Sequence, residues 1–431
     1  MRDGRVDEAL VDRSVTRALT QKAQLGLLDA TFEGEPPSAP ELDSARHRAL
    51  AARLAEESVV LLANDGLLPL ERPGRVAVVG PNAHRVEAMF GCYSFVNHVL
   101  AHHPEAELGI EVPTLVDALT AALPGSEVTY EQGCAVDDGD TSGFPSARAA
   151  AEAADVAVVV VGDHAALFGR GTVGEGCDRD DLELPGVQRA LVEEVLDTGT
   201  PVVLVLLTGR PYAVGWALDR CAAVLQAFFP GEEGGSAIAG VLTGRVNPSG
   251  RLPVSLPRPA GAQPYTYLRP PLGGDSDVTN LSSAPARPFG FGLSYTTFAH
   301  EDLRAPGESS TGEPLRVTVR VTNTGDRAGA DVVQLYGHDV VASVTRPVAQ
   351  LLGFQRVVLD PGASTVVELV VPPARFAFTS RDGTRVVEPG AVELWVGASC
   401  EHRETEAVVH LTGDVHRVAY GDELRTRSST G

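Results

Sequence analysis

Asp155-Val-Ala-Val-Val-Val-Val161 is the stretch on which the fold of this chain turns. Its apolar residues run without a break and are nearly all β-branched. A half-buried strand would alternate, so this run reads as a strand covered on both faces. Gly162-Asp-His164 follows, and then a long loop, Gly169-Arg-Gly-Thr-Val-Gly-Glu-Gly-Cys-Asp-Arg-Asp-Asp-Leu-Glu-Leu-Pro-Gly186. Glu175 stands between two glycines in that loop. Glycine accepts positive φ and lets another molecule come close, so the loop is built to carry a carboxylate out of a sheet. A solvated turn uses the same residue types for conformational reasons alone, and both readings stand at this point.

Working outward, similar runs recur at Arg75-Val-Ala-Val-Val-Gly80, Glu127-Val-Thr-Tyr130, Pro201-Val-Val-Leu-Val-Leu-Leu207 and Cys221-Ala-Ala-Val-Leu-Gln226. Helix candidates lie around and between them, at Ala45–Leu62, Thr114–Leu123, Ala147–Ala153, Val187–Leu196, Tyr212–Ala217 and Gly235–Leu242. Strands alternating with helices predict an α/β sandwich over 45–258, a largely parallel sheet with helices on both faces. Ligands of such sheets bind at the carboxyl ends of the strands, which is where the Glu175 loop begins. Gly231-Glu-Glu-Gly-Gly235 precedes a helix, but its two glutamates repel phosphate. No GxGxxG follows the first strand, and no Walker sequence occurs, so the pattern argues against a nucleotide.

Beyond residue 258 the pattern changes. Residues 259–300 are rich in Pro, Gly and Tyr and read as an ordered linker packed on the surface. From 301 to 420 the period is two: Leu315, Val317, Val319 and Val321 alternate with Arg316, Thr318, Arg320 and Thr322, and similar runs recur at Val366–Val371 and Val392–Val396. Asn323-Thr-Gly325, Asp360-Pro-Gly362, Arg381-Asp-Gly383 and Pro389-Gly390 supply turns, which predicts an all-β sandwich of about seven strands. At the other end, residues 6–28 carry Val6, Leu10, Val11, Val15, Ala18, Leu19 and Leu25 at helical spacing. A proline-rich linker, Phe32–Pro40, ends that helix.

Composition limits the function. A net charge of −22 repels nucleic-acid backbones and anionic membranes. Lys22 is the only lysine. The five cysteines, Cys92, Cys134, Cys177, Cys221 and Cys400, are scattered and lack CxxC spacing, which predicts buried free thiols with neither a metal nor a disulfide framework. No apolar run reaches membrane-spanning length. Met1-Arg-Asp-Gly-Arg-Val-Asp-Glu8 places acidic residues where a signal peptide needs an apolar segment, so the chain as given predicts a cytoplasmic protein, with a true start upstream left open.

The ordered motifs resemble glycoside hydrolase family 3 over residues 5–400. They are Ala55-Glu-Glu-Ser-Val-Val-Leu-Leu-Ala-Asn-Asp-Gly-Leu-Leu-Pro-Leu70, Gly91-Cys-Tyr-Ser-Phe95, Gly174-Glu-Gly-Cys-Asp-Arg179 with Leu184-Pro-Gly-Val-Gln188, and Phe229-Pro-Gly-Glu-Glu-Gly-Gly235. Asn247-Pro-Ser-Gly-Arg-Leu-Pro253, Pro288–Phe298, Arg346–Phe354, Leu359-Asp-Pro-Gly362 and Val387-Glu-Pro-Gly390 continue the order. The resemblance implies a fibronectin type III-like fold for the sandwich and an exo-acting, retaining β-glycosidase of β-glucosidase or β-xylosidase type, without cofactor or metal, acting on β-linked oligosaccharides or glycosides. It implies Glu175 as the acid/base, although Val173 stands where the family often has Ser. It also implies that residues 1–44 are the last helix and linker of a barrel that carried the nucleophile Asp, a barrel of about 250 residues that is not in this sequence. Residues 6–28 would then pair with such a barrel or self-associate. The rival reading is a non-catalytic carbohydrate-binding or scaffold remnant.

Other candidates surround Glu175. Tyr93 and His98 either line a sugar site or pack. Arg170 either holds Glu175 ionised or points to solvent. Asp163 and His164 end a strand and read either as a dyad or as a satisfied strand-end pair; Asp178, Asp180 and Asp181 lie too near Glu175 in sequence to face it across a sugar, and Asp178-Arg179 reads as a structural ion pair. Asp137, Asp138 and Asp163 are the reserve candidates for a nucleophile.

Overall fold

The computed structural model describes residues 6–29, 41–263 and 265–431; the linker Phe32–Pro40 lies outside them. The chain forms two units, residues 1–47 and residues 48–431. The first holds α1 (Glu8–Gln24), whose N-cap Asp7 accepts from the Ala9 N–H at 3.0 Å. The apolar spacing predicts a helix to residue 28, but the helix stops at Gln24. Gly26 adopts φ 72° and Leu27 N–H reaches back to the Lys22 carbonyl at 2.9 Å, a glycine-based stop. Among its described residues α1 buries none, and Val15 and Leu19 remain 48% and 47% exposed.

Most of α2 (Ala45–Ser58) lies in the second unit and is followed by β1 (Val60–Asn64). A helix running to Leu62 is therefore a correction: β-branched Val59 and Val60 favour extended backbone, and Val60–Asn64 pairs antiparallel along a sheet edge. The sheet continues through β2 (Arg75–Val79), β3 (Glu127–Glu131), β4 (Val156–Gly162), β5 (Val202–Leu207) and β6 (Ala223–Gln226), in the order β1-β6-β5-β4-β2-β3. All pairs except β1·β6 are parallel.

Residue parity divides the core. Val76, Val78, Val158, Val160, Val203 and Val205 face α3 (Leu115–Ala122) and α7 (Gly234–Leu242) through Leu119, Ile238 and Val241. Ala77, Val79, Val159, Val161, Leu204 and Leu206 face α4 (Phe144–Glu152) and α5 (Gln188–Leu196) through Ala147, Leu191 and Val195. Every residue of β4 is buried, as its unbroken apolar run requires. The helix expected at Tyr212–Ala217 shrinks to one turn, α6 (Gly215–Leu218). Pro211 has no N–H to give a helix and holds the residue before it out of helical geometry, and Ala213 N–H donates to the Leu182 carbonyl (2.7 Å) instead.

The sandwich holds β7 (Phe298–Arg304), β8 (Glu308–Ser310), β9 (Leu315–Asn323), β10 (Gly329–Asp339), β11 (Gln350–Leu359), β12 (Ser364–Val371), β13 (Phe378–Thr379), β14 (Arg385–Val387), β15 (Gly390–Val396), β16 (Thr405–Thr412), β17 (His416–Arg417) and β18 (Arg427–Thr430). A five-stranded sheet, β11-β10-β15-β16-β8, packs on a four-stranded one, β18-β12-β9-β7, so the two exceed the expected seven strands. The expected ends at 301 and 420 also move: β7 begins at Phe298, and β18 pairs with β12. β18 is short, polar and exposed, so it carries no alternating signal.

Residues 259–297 do not simply lie on the surface. Tyr267 and Phe289 stack at 4.4 Å and meet Tyr336 edge-on, and Tyr336 stacks on Trp395 at 5.8 Å. This aromatic wedge explains why β10 is buried on both faces. Beside it lies a buried charge cluster. His300, between the carboxylates of Asp331 (2.7 Å) and Glu404 (2.8 Å), shares Asp331 with Arg251 (2.7 Å) from the Asn247–Pro253 motif. His300 and Asp331 are 3% and 5% exposed. Burial alone lowers the imidazole pKa, but its bonds to the two carboxylates more than reverse that and raise it from 6.5 to about 9. Because the folded value lies above the unfolded one, this stabilisation is complete below about pH 6.5 and disappears as pH rises through about 9. We therefore expect the melting temperature to fall between pH 7 and pH 10, and His300→Gln to flatten that slope. Equal slopes in thermal melts of the two proteins would show that the cluster does not set the alkaline limit.

Candidate active site

The loop after β4 is shaped by contacts at both its ends. At the strand end, the buried Gln188 accepts from Gly162 N–H (2.7 Å) and donates to the carbonyls of Gly162 (2.9 Å) and Val136 (2.8 Å). The Leu184–Gln188 motif thus fastens the end of β4 and the loop after β3 to one side chain. Asp163 is fully buried and accepts from the Tyr212 hydroxyl, from Thr172 Oγ1 (2.6 Å) and from Gly209 N–H (2.8 Å). Asp163 and His164 thus form no dyad: the Asp163 carboxylate is satisfied at the strand end by these three donors and turns inward, while half-buried His164 faces a crevice. A carboxylate this enclosed serves structure and is not available as a nucleophile.

Further out the two arms of the loop zip together. Thr172 N–H donates to His164 O (2.9 Å), Ala166 N–H to Val173 O (3.0 Å) and Phe168 N–H to Glu175 O (2.8 Å). Arg210 donates from beneath to the carbonyls of Thr172 (2.7 Å) and Cys177 (2.9 Å). Gly174 has φ 125°, and a Cβ there would stand 2.0 Å from Ala166 O and 2.8 Å from the Cys92 Cβ. Only glycine closes this turn. Glu175 at its tip is exposed.

A second loop meets it. Asn97, in the wide helical turn Phe95–Leu100, donates to the carbonyls of Glu87 (3.1 Å), Phe90 (2.7 Å) and Gly91 (3.3 Å), and Ser94 Oγ accepts from its N–H at 3.1 Å. That clamp holds Tyr93 outward, 66% exposed, with its hydroxyl donating to Glu175 Oε2. The hydrogen bond to the carboxylate, with small contributions from burial and charge, raises the phenol pKa, so Tyr93 stays a neutral donor. His98 meets the Tyr93 ring edge-on at 6.0 Å.

The structure therefore brings Glu175, Tyr93 and His98 together and leaves Arg170 aside. Arg170 is exposed and forms no ion pair with Glu175 among the described residues. Arg179 pairs with Asp137 rather than with Asp178, because Asp178 is turned to solvent. Asp180 and Asp181 are also exposed, and Asp181 only caps the Glu183 N–H (3.1 Å). Asp138 likewise caps a turn, at Asp140. Four of the five cysteines are buried and Cys92 is half-buried; burial pushes Cys134, Cys221 and Cys400 up to about 12.

Sequence reading missed three contributors. Phe168 (φ 58°, 66% exposed) lies beside Glu175, Arg210 braces the loop, and Asn97 braces its neighbour. Asn97 had a legible signal, since Ser94 three residues earlier is a helix-cap residue. Phe168 and Arg210 had none.

The model of the glycosyl hydrolase family 3 C-terminal domain matches residues 59–295, more than half of the chain. The chain belongs to glycosyl hydrolase family 3. The fibronectin type III-like domain model matches residues 331–400. A β-xylosidase of Formosa agariphila is 36% identical over 92% of this chain and 55% of its own length. A periplasmic β-glucosidase of Salmonella typhimurium is 35% identical over 92% of this chain and 55% of its own. The solved structure of a β-glucosidase from Erythrobacter marinus aligns at 37% identity and TM-score 0.79, covering 95% of this chain and 56% of that one. The chain thus spans about half the length of these family 3 relatives. Among the described residues no helix is long and apolar enough to cross a membrane.

The geometry of the loop has a direct consequence. Arg210→Ala removes the brace under Thr172 and Cys177, and Gly174→Ala forces the turn open. Hydrogen exchange is expected to speed up at residues 166–177 in both variants, with the sheet core unaffected. Unchanged exchange in both would mean that the zipped arms alone hold the loop.

Proposed function

We propose that this chain is the C-terminal part of a retaining, exo-acting family 3 β-glycosidase of β-glucosidase or β-xylosidase type, with Glu175 as its general acid/base. One observation carries the reading: a braced loop presents Glu175 to solvent at the carboxyl end of the sheet, with the neutral phenol of Tyr93 as its hydrogen-bond donor. As acid, Glu175 would protonate the leaving oxygen; as base, it would activate the water that releases the sugar. Tyr93 positions the carboxylate, and His98 packs against Tyr93. Relatives named β-xylosidase and β-glucosidase support a terminal β-linked sugar as substrate.

Retaining chemistry needs two carboxyl groups about 5–5.5 Å apart. Among the described residues the Glu175 carboxylate hydrogen-bonds to Tyr93 alone, and the resemblance assigns the nucleophile to a barrel outside these residues. That half-length match also favours a second reading, a non-catalytic carbohydrate-binding or scaffold module. We expect no hydrolysis of aryl β-glucosides or β-xylosides by these residues alone. With a matching family 3 barrel supplied, Glu175→Gln should slow substrates with poor leaving groups far more than activated aryl glycosides, because a good leaving group departs without a proton. Equal losses on both would sink the acid/base assignment, and no gain of activity with any barrel would favour the second reading.

The exposed stripe of α1 fits the barrel-side role that the resemblance gives residues 6–28. A lone helix of this length is marginal in water, and its stripe forfeits roughly 1.5–3 kcal/mol per Val or Leu left unburied. Deleting residues 1–40 is expected to leave the main thermal transition within a few degrees and to make the protein more monodisperse by light scattering. A large drop in the transition would show instead that the helix supports the remaining fold.

A further inference from the structure

The sheet has a topological switch point that the Glu175 chemistry does not use. Its parallel strands run β3-β2-β4-β5-β6, so the chain leaves β2 toward one edge and returns past it to build β4. The connection after β2 reaches α3 on one face, and the connection after β4 reaches α5 on the other. Two loops that part in this way open a crevice at the strands' carboxyl ends, the recurrent ligand position of open parallel sheets.

A crevice of about 450 Å³ lies there, lined by Pro81 and Arg85 after β2, by Gln132 and Asp137 after β3, and by His164 and Arg170 after β4. A neighbouring hollow of about 340 Å³ shares Arg85, His164 and Arg170 with it and adds Glu87. Neither is lined by Glu175 or Tyr93. Arg170 has no ion pair among the described residues. Arg85 has only Glu87, at 3.9 Å. The acid of the main crevice, Asp137, is engaged by Arg179. Burial, and then the charge of Arg85, lower the His164 pKa, so this side chain offers a hydrogen bond and no charge.

We propose that this crevice is a second ligand site, which takes a small anion, a phosphate or carboxylate group, between Arg85 and Arg170, with His164 and Gln132 completing its hydrogen bonds. Charge-assisted bonds from two guanidinium groups suit such an oxyanion. The absence of a glycine-rich phosphate loop and the presence of Glu87 and Asp137 suit a compact anion better than a nucleotide. The outbound arm of the Glu175 loop, Gly169–Thr172, forms one wall, so occupancy would stiffen that arm.

Isothermal titration of the full chain at low salt, with inorganic phosphate, glucuronate and glucose in turn, tests this. Phosphate or glucuronate is expected to bind with one-to-one stoichiometry and glucose not at all. Binding of phosphate alone identifies a phosphate group as the ligand; binding of glucuronate alone identifies a sugar-acid carboxylate. Arg85→Ala and Arg170→Ala should each weaken the bound anion about tenfold. Arg381→Ala, on an exposed turn, should leave it unchanged. Arg170 is exposed, so its variant serves even where Arg85→Ala fails to fold. Binding of neither anion, glucose binding as tightly, or wild-type affinity in the Arg170 variant overturns the proposal.

Discussion

A buried carboxylate sets the position of an exposed one. Asp163 follows a wholly buried strand of the sheet, and its two oxygens collect the Tyr212 hydroxyl, the Thr172 hydroxyl and the Gly209 N–H. Removing any one partner leaves a buried acceptor short of a donor, which typically costs about 1–3 kcal/mol. The outbound arm of the Glu175 loop and the loop after β5 are therefore both tied to the end of β4. From that anchor the loop arms zip outward, so the site of Glu175 is fixed by a group about a dozen residues away that never meets substrate.

The same logic joins the two folds of residues 48–431. The Asn247–Pro253 motif follows the last helix of the α/β part, and its Arg251 meets Asp331 on the sandwich, while His300 bridges Asp331 to Glu404. Replacing one member of such a buried cluster leaves the others uncompensated. The aromatic wedge of Tyr267, Phe289, Tyr336 and Trp395 adds apolar area next to it. Together they make the segment after residue 258 an interface rather than a tether.

Belonging to family 3 fits this division of labour. The sheet supplies a carboxyl-end face, two loops braced by Arg210 and Asn97 present Glu175 and Tyr93, and the sandwich is tied to the α/β part through Asn247 and Arg251. This chain spans about half the length of its relatives, and in the proposed function these residues supply one side of the site. The anion crevice at the switch point uses the other side of the same loop. One sheet end thus offers two differently charged surfaces.

Sequence alone determined the layers, because burial on both faces demands unbroken apolar runs and burial on one face demands alternation. Val156–Val161 and Leu315–Val321 show those two patterns without ambiguity, and the glycines around Glu175 marked the loop for the same local reason. Tertiary structure decided what local pattern cannot encode. Val60–Asn64 became an edge strand because β6 offered it hydrogen bonds, and polar Arg427–Thr430 became a strand because β12 did. Tyr93 and Glu175, 82 residues apart, meet only because β2 and β4 are neighbours in the sheet. Arg170 and His164, carried on the same loop as the catalytic candidate, line the crevice and not the Glu175 carboxylate. Strand order and loop closure are long-range choices, and no short stretch of residues carries them.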